Sequence, residues 1–113
     1  VIVAFGANDF ARGEESLIKN MHEFMDKLLV TYKDAQIIGL TPICGRAGVM
    51  PGKNTITDII NRTYDEYGIE YIDGTFLVSA TDDNYADHYH PNDKGYLEMA
   101  DNLIPKLDAL LNK

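Results

Sequence analysis

Residues 1–9 read Val1-Ile2-Val3-Ala4-Phe5-Gly6-Ala7-Asn8-Asp9. Five apolar residues in a row, several of them β-branched, are the pattern of a strand buried on both faces of a parallel sheet. Gly6 permits a tight turn at its end. The segment beyond Asp9 switches period. Leu17, Ile18, Met21, Phe24, Met25, Leu28, Leu29 and Tyr32 recur at helical spacing and predict one apolar helical stripe.

The alternation then repeats. "AQIIGL" (35–40) reads as a second strand and "TPICGRAGVMPGKN" (41–54) as a loop rich in Pro and Gly. Ile56, Ile59, Ile60, Thr63, Tyr64 and Tyr67 form a second stripe, with Asn54 or Thr55 as its cap and Gly68 past its end. "IEYID" (69–73) is a short third strand, and 74–93 is irregular and polar. From Asn92 or Asp93 a last helix runs through Leu97, Ala100, Leu103, Ile104, Leu107, Leu110 and Leu111, with a kink expected at Pro105.

Strand and helix in alternation predict an α/β fold: a flavodoxin-like, three-layer α/β/α arrangement around a parallel sheet. In such sheets the site lies beyond the carboxyl ends of the strands. All three long loops leave those ends, so Asn8, Asp9, Arg46, Asp87, His88 and His90 are expected at one edge.

Bulk properties narrow the function. A chain of 113 residues with 45% hydrophobic content suits one packed domain. Eighteen acidic against ten basic residues, net −8, exclude a nucleic-acid partner, which needs a basic footprint. The single cysteine, Cys44, rules out an intrachain disulfide and reads as a small core or loop residue. No apolar run approaches the ~18 residues of a membrane span.

The chemistry concentrates in "DHYHP", Asp87 to Pro91. A histidine base must hold one tautomer and aim its free nitrogen at a substrate or nucleophile. A carboxylate on the other ring nitrogen does both and stabilises the imidazolium that forms. A turn between Asp87 and His90 brings the two together, and Pro91 stiffens the exit. A helix-capping loop that happens to contain histidine is the plainer alternative. Asn8, in a turn directly after a strand, can present its amide as the hydrogen-bond donor that a tetrahedral intermediate needs. Simple turn chemistry also accounts for it.

Taken together, the two motifs resemble the SGNH hydrolases, the GDSL esterase/lipase family. Gly6-Ala7-Asn8-Asp9 matches its G-x-N-D block, and Asp87-His88-Tyr89-His90-Pro91 matches its D-x-x-H block with the usual proline. The resemblance spans essentially the whole chain. It implies an acyl-ester hydrolase needing no metal or other cofactor, with His90 as general base, Asp87 as its orienting partner and Asn8 as an oxyanion donor. Asp9 would be a supporting residue, and His88 falls on a variable position. Gly6 and Tyr89 would border the substrate, with Tyr85 beside Tyr89. Arg46 reads as a solvated loop charge or a contact for an anionic or sugar substrate. With no long apolar lid in the sequence, a small or carbohydrate-borne acyl group is favoured over a long lipid.

The family's G-D-S block and its second-block glycine are absent from the sequence. Ser16, at a helix start, and Ser79, in a loop, lack the G-D-S context. The chain is therefore expected to be the C-terminal portion, 1–113, of one SGNH-hydrolase domain, with about three strands and three helices and its nucleophile upstream. The Val1–Phe5 strand edge would be filled by the missing N-terminal segment or by a second chain. Two alternatives stand beside this reading: a non-catalytic flavodoxin-like binding module or pseudoenzyme fragment, and a metal site built from Asp82, Asp83, Asp87, His88 and His90.

Overall fold

The structure, a computed structural model, describes residues 1–9, 12–46 and 53–113. Parts of two expected loops, 10–11 and 47–52, lie outside the described residues. The chain forms two compact units, Val1–Pro42 with Pro51–Ile72, and Ile43–Met50 with Asp73–Lys113.

The first unit holds a parallel sheet of three strands: β1 (Ile2–Ala4), β2 (Ile38–Leu40) and β3 (Glu70–Ile72), in the order β1-β2-β3. Val3 pairs with Gly39, and Gly39 with Tyr71. Helices α1 (Glu14–Thr31) and α2 (Lys53–Glu66) connect the strands. With α3 (Asp93–Leu111) in the second unit, the described residues supply the three parallel strands and three α-helices of an α/β fold.

The core explains the docking of the helices. Leu17, Met21, Met25 and Leu28 of α1 meet Ile56, Ile59, Ile60 and Tyr64 of α2 and Val3 of β1. This stripe is narrower than the sequence predicts: Ile18 and Phe24 are exposed, although Phe24 keeps an edge-to-face contact with Phe5 at 4.9 Å. Gly39 marks the tightest point. Tyr64 covers it, a Cβ there would lie 2.6 Å from the ring, and the Tyr64 hydroxyl donates to the Val3 carbonyl at 2.9 Å. Burial pushes that hydroxyl's pKa up to about 12. Tyr71 stacks on the same ring, with centroids 5.6 Å apart.

Two expectations change here. β1 is not buried on both faces. Val3 is buried against the helices, whereas Ile2, on the alternate face, is 51% exposed and Ala4 is exposed as well. β1 is an edge strand, with β2 its one neighbour among the described residues. The cap of α2 also differs: the helix already includes Lys53, so Asn54 and Thr55 lie inside it. Its other end follows the sequence. Gly68 takes φ 66°, and the Gly68 and Ile69 amides donate to Asp65 and Tyr64 carbonyls at 3.1 and 2.9 Å, which is the Schellman pattern.

In the second unit, short 3-10 helices at Gly74–Phe76 and Asp82–Asn84 lead to α3. Asn92 caps α3 by accepting from the Gly95 amide at 3.0 Å, and the helix continues through Pro105. No helix among the described residues is long and apolar enough to cross a membrane.

Candidate active site

Two stretches carry the candidate residues, one in each unit. In the first, the parallel register sets the carboxyl ends of all three strands at one edge. The chain leaves β1 there through Gly6 at φ 95°, a conformation that favours glycine. A Cβ on Gly6 would also collide with the Ile60 side chain and lie 3.4 Å from Pro42. Gly6 is thus buried under α2, and its immediate task is to let the chain turn where no side chain fits. The Asp9 amide donates to the Gly6 carbonyl at 3.1 Å, which closes a turn with Ala7 and Asn8 at its tip. Asn8 is exposed, and its side chain has no hydrogen-bond partner among the described residues.

In the second unit, Asp87 and His90 come together. One carboxylate oxygen of Asp87 accepts from the backbone amides of Tyr89 and His90 at 2.8 and 2.7 Å. The other lies 2.8 Å from Nδ1 of His90. Backbone amides first, and the ring second, hold the Asp87 carboxyl at about 2, well below the usual carboxylate range. It is therefore an anion at every physiological pH. An anion can only accept, so Nδ1 carries the proton and Nε2 presents its lone pair whenever the ring is neutral. The His90 side chain is 72% exposed, and Nε2 has no partner among the described residues.

A family model described as the GDSL-like lipase/acylhydrolase family matches residues 1–97. The chain belongs to that family. No curated protein matches it closely enough to serve as a relative.

The remaining contacts of this GDSL-like hydrolase chain show how the Asp87–His90 turn is supported. Tyr85 and Pro91 form an antiparallel bridge on either side of it, and the Ala86 amide donates to the His90 carbonyl at 2.8 Å. Tyr85 does not line a substrate pocket as expected from its position beside Tyr89. It is 5% exposed, its hydroxyl lies 3.7 Å from Cys44 Sγ, and burial raises its pKa far above the ordinary tyrosine value. Tyr89 is exposed.

Arg46 is not a freely solvated charge. Its amide donates to the His88 carbonyl at 3.0 Å, Nη2 meets His88 Nδ1 at 3.0 Å, and Nε lies 3.5 Å from Asp82. Cys44 donates to the Val78 carbonyl at 3.2 Å. Behind these, Glu98 of α3 accepts from the Ser79 hydroxyl and, at 2.6 Å, from the buried Asn84 amide. Asn84 and Glu98 carry no signal in the sequence: one sits in a polar loop, the other on a helix, and only the fold pairs them. Ser79 is thereby engaged with a carboxylate rather than a histidine. Among the described residues no cluster of three or more His, Cys, Asp or Glu side chains is arranged to hold a metal ion.

Proposed function

We propose that this chain is the base-bearing portion of a serine ester hydrolase, in which His90 is the general base, Asp87 orients it and Asn8 donates to the oxyanion. The observation that carries the reading is the Asp87 carboxylate on Nδ1 of His90 at 2.8 Å, which leaves Nε2 as the acceptor. In the reaction Nε2 takes the proton of a serine hydroxyl as that oxygen attacks the ester carbonyl. The Asp87 anion stabilises the imidazolium that results. The negative charge passes to the carbonyl oxygen, where an amide donor such as Asn8 lowers the barrier. The imidazolium then protonates the departing alcohol, and water repeats the sequence to release the acid.

The nucleophile comes from outside these 113 residues, because neither Ser16 nor Ser79 stands in a G-D-S context. One family model runs through both compact units, which supports treating them as parts of one hydrolase. Gly6 and Tyr89 border that substrate, a small or carbohydrate-borne acyl ester. The open edge of β1 receives a further strand from the rest of the protein. The missing G-D-S block also favours a second reading, a pseudoenzyme that binds without turnover. One experiment separates them. In the full-length protein His90→Ala should lower ester turnover by roughly 10³-fold or more, and a fluorophosphonate probe should label a serine outside residues 1–113. Near-normal turnover in the variant refutes the assignment, and a full-length protein that takes no label is the pseudoenzyme.

A further inference from the structure

The contacts around Arg46 gather on His88, between Asp87 and His90. The peptide unit joining His88 to Tyr89 is a rigid plane with an oxygen at one end and an N–H at the other. Its oxygen accepts from the Arg46 amide at 3.0 Å. Its N–H donates to Asp87 at 2.8 Å. This plane cannot rotate without breaking both bonds, and rotation would cost Asp87 one of the two backbone amides that hold it against the His90 ring. The Arg46 side chain reinforces the same point, reaching the His88 ring at 3.0 Å and Asp82 at 3.5 Å. A guanidinium only donates, so Nδ1 of His88 must be the acceptor and the ring proton must sit on Nε2. The segment bearing Arg46 is itself fixed. Gly45 turns the chain at φ 76°, and the buried Cys44 holds the Val78 carbonyl.

We propose that Arg46 is a positioning residue for His90, acting through His88 to hold the Asp87–His90 turn in its catalytic conformation. This rests on the reading of His90 as the base. Arg46 is not a catalytic residue, and an isolated exposed ion pair would contribute little. What distinguishes Arg46 is that its backbone and side chain grip one residue, which lies between the acid and the base.

The test uses the full-length protein with Arg46→Ala, Arg46→Lys, His88→Ala and the Arg46→Ala/His88→Ala double variant. Ring ¹⁵N shifts should show neutral His88 in the Nε2–H form in the unmodified protein and a mixture of tautomers in Arg46→Ala. Solvent exchange of the His90 Nδ1 proton should quicken in Arg46→Ala. Turnover of a small acyl ester should fall about tenfold in kcat with KM unchanged. Lysine should restore part of both, since it keeps one donor. The double variant should be no worse than either single change. An Nδ1–H tautomer at His88, unchanged His90 exchange with unchanged kcat, or losses that multiply in the double variant would each overturn the proposal. If His90→Ala retains turnover, the base assignment fails, and with it any catalytic role for Arg46. The His88 tautomer and His90 exchange then still decide whether Arg46 holds the turn.

Discussion

Replacing Gly39 with alanine tests how α2 is seated on the sheet. The new Cβ would lie 2.6, 2.7 and 2.9 Å from Cε2, Cζ and Cδ2 of Tyr64. Carbon atoms in contact rest at about 3.5–4.0 Å, so the ring must retreat by roughly 1 Å. Tyr64 is fully buried, and Tyr71 is stacked against it. The retreat stretches the 2.9 Å bond to the Val3 carbonyl beyond hydrogen-bonding range. Overpacking costs about 1–3 kcal/mol and the lost bond about 1 kcal/mol more, so the expected loss is about 2–4 kcal/mol. Tyr64→Phe alone removes only the bond, at about 1 kcal/mol. The two changes should not add. In the alanine background the hydroxyl has already lost its acceptor, which leaves a coupling of about 1 kcal/mol. Urea unfolding of the four proteins, extrapolated linearly to water, measures each corner of the cycle. A Gly39→Ala cost below about 0.5 kcal/mol, or strict additivity, would refute this account of the seat.

Asp87→Asn should keep an oxygen for the Tyr89 and His90 amides while offering an amide to His90 Nδ1, which forces the wrong tautomer. Ester turnover by the full-length protein should fall about 10³–10⁴-fold with the urea midpoint nearly unmoved, and a loss under about tenfold would argue against the dyad. Gly95→Ala places a methyl group against the Asn84 carbonyl and 2.9 Å from Pro91. It should lower the thermal midpoint by about 4–8 °C for each kcal/mol of the strain, read by calorimetry. His22 joins α1 to α2, with Nδ1 2.7 Å from the Ile18 carbonyl and Nε2 2.8 Å from Glu66. The Ile18 carbonyl first, and Glu66 second, raise its pKa above 6.5. The contribution is full below pH 6.5 and is lost as pH rises through the raised value. Glu66→Gln should lower the His22 midpoint in an NMR titration and flatten that pH dependence.

The legible features were those written as local periodicity or as turn chemistry. Leu17, Met21, Met25 and Leu28 gave α1 its buried face, and Gly68 ended α2, because both depend on neighbours a few residues away. The family assignment rested on two short motifs, Gly6 to Asp9 and Asp87 to Pro91, and the family model agrees with it. What escaped depends on distant partners. The open edge of β1 follows the expectation for Val1–Phe5, whereas the exposure of Ile2 and Ala4 was not legible, because an apolar run does not say what covers each face of a strand. Arg46 lies in a loop without periodicity, and its partners His88 and Asp82 are far along the chain. Tyr85 lies only four residues from Tyr89, but the chain turns back between Tyr85 and Pro91, and the Tyr85 hydroxyl ends beside the buried Cys44.

The closeness of acid and base in the chain has a consequence for how securely the pair persists. Asp87 and His90 are three residues apart and make their contact inside a single turn. Closing a loop costs entropy that grows with the logarithm of its length. A contact between groups roughly eighty residues apart would cost about 3 kcal/mol more to close. The Asp87–His90 contact therefore carries a far smaller loop-closure cost, whereas any contact between distant segments depends on the intervening chain being ordered. Under mild denaturant or heat, the Asp87–His90 contact should outlast contacts between segments distant in the chain. Loss of activity would then set in while the His90 ring still reports its carboxylate partner.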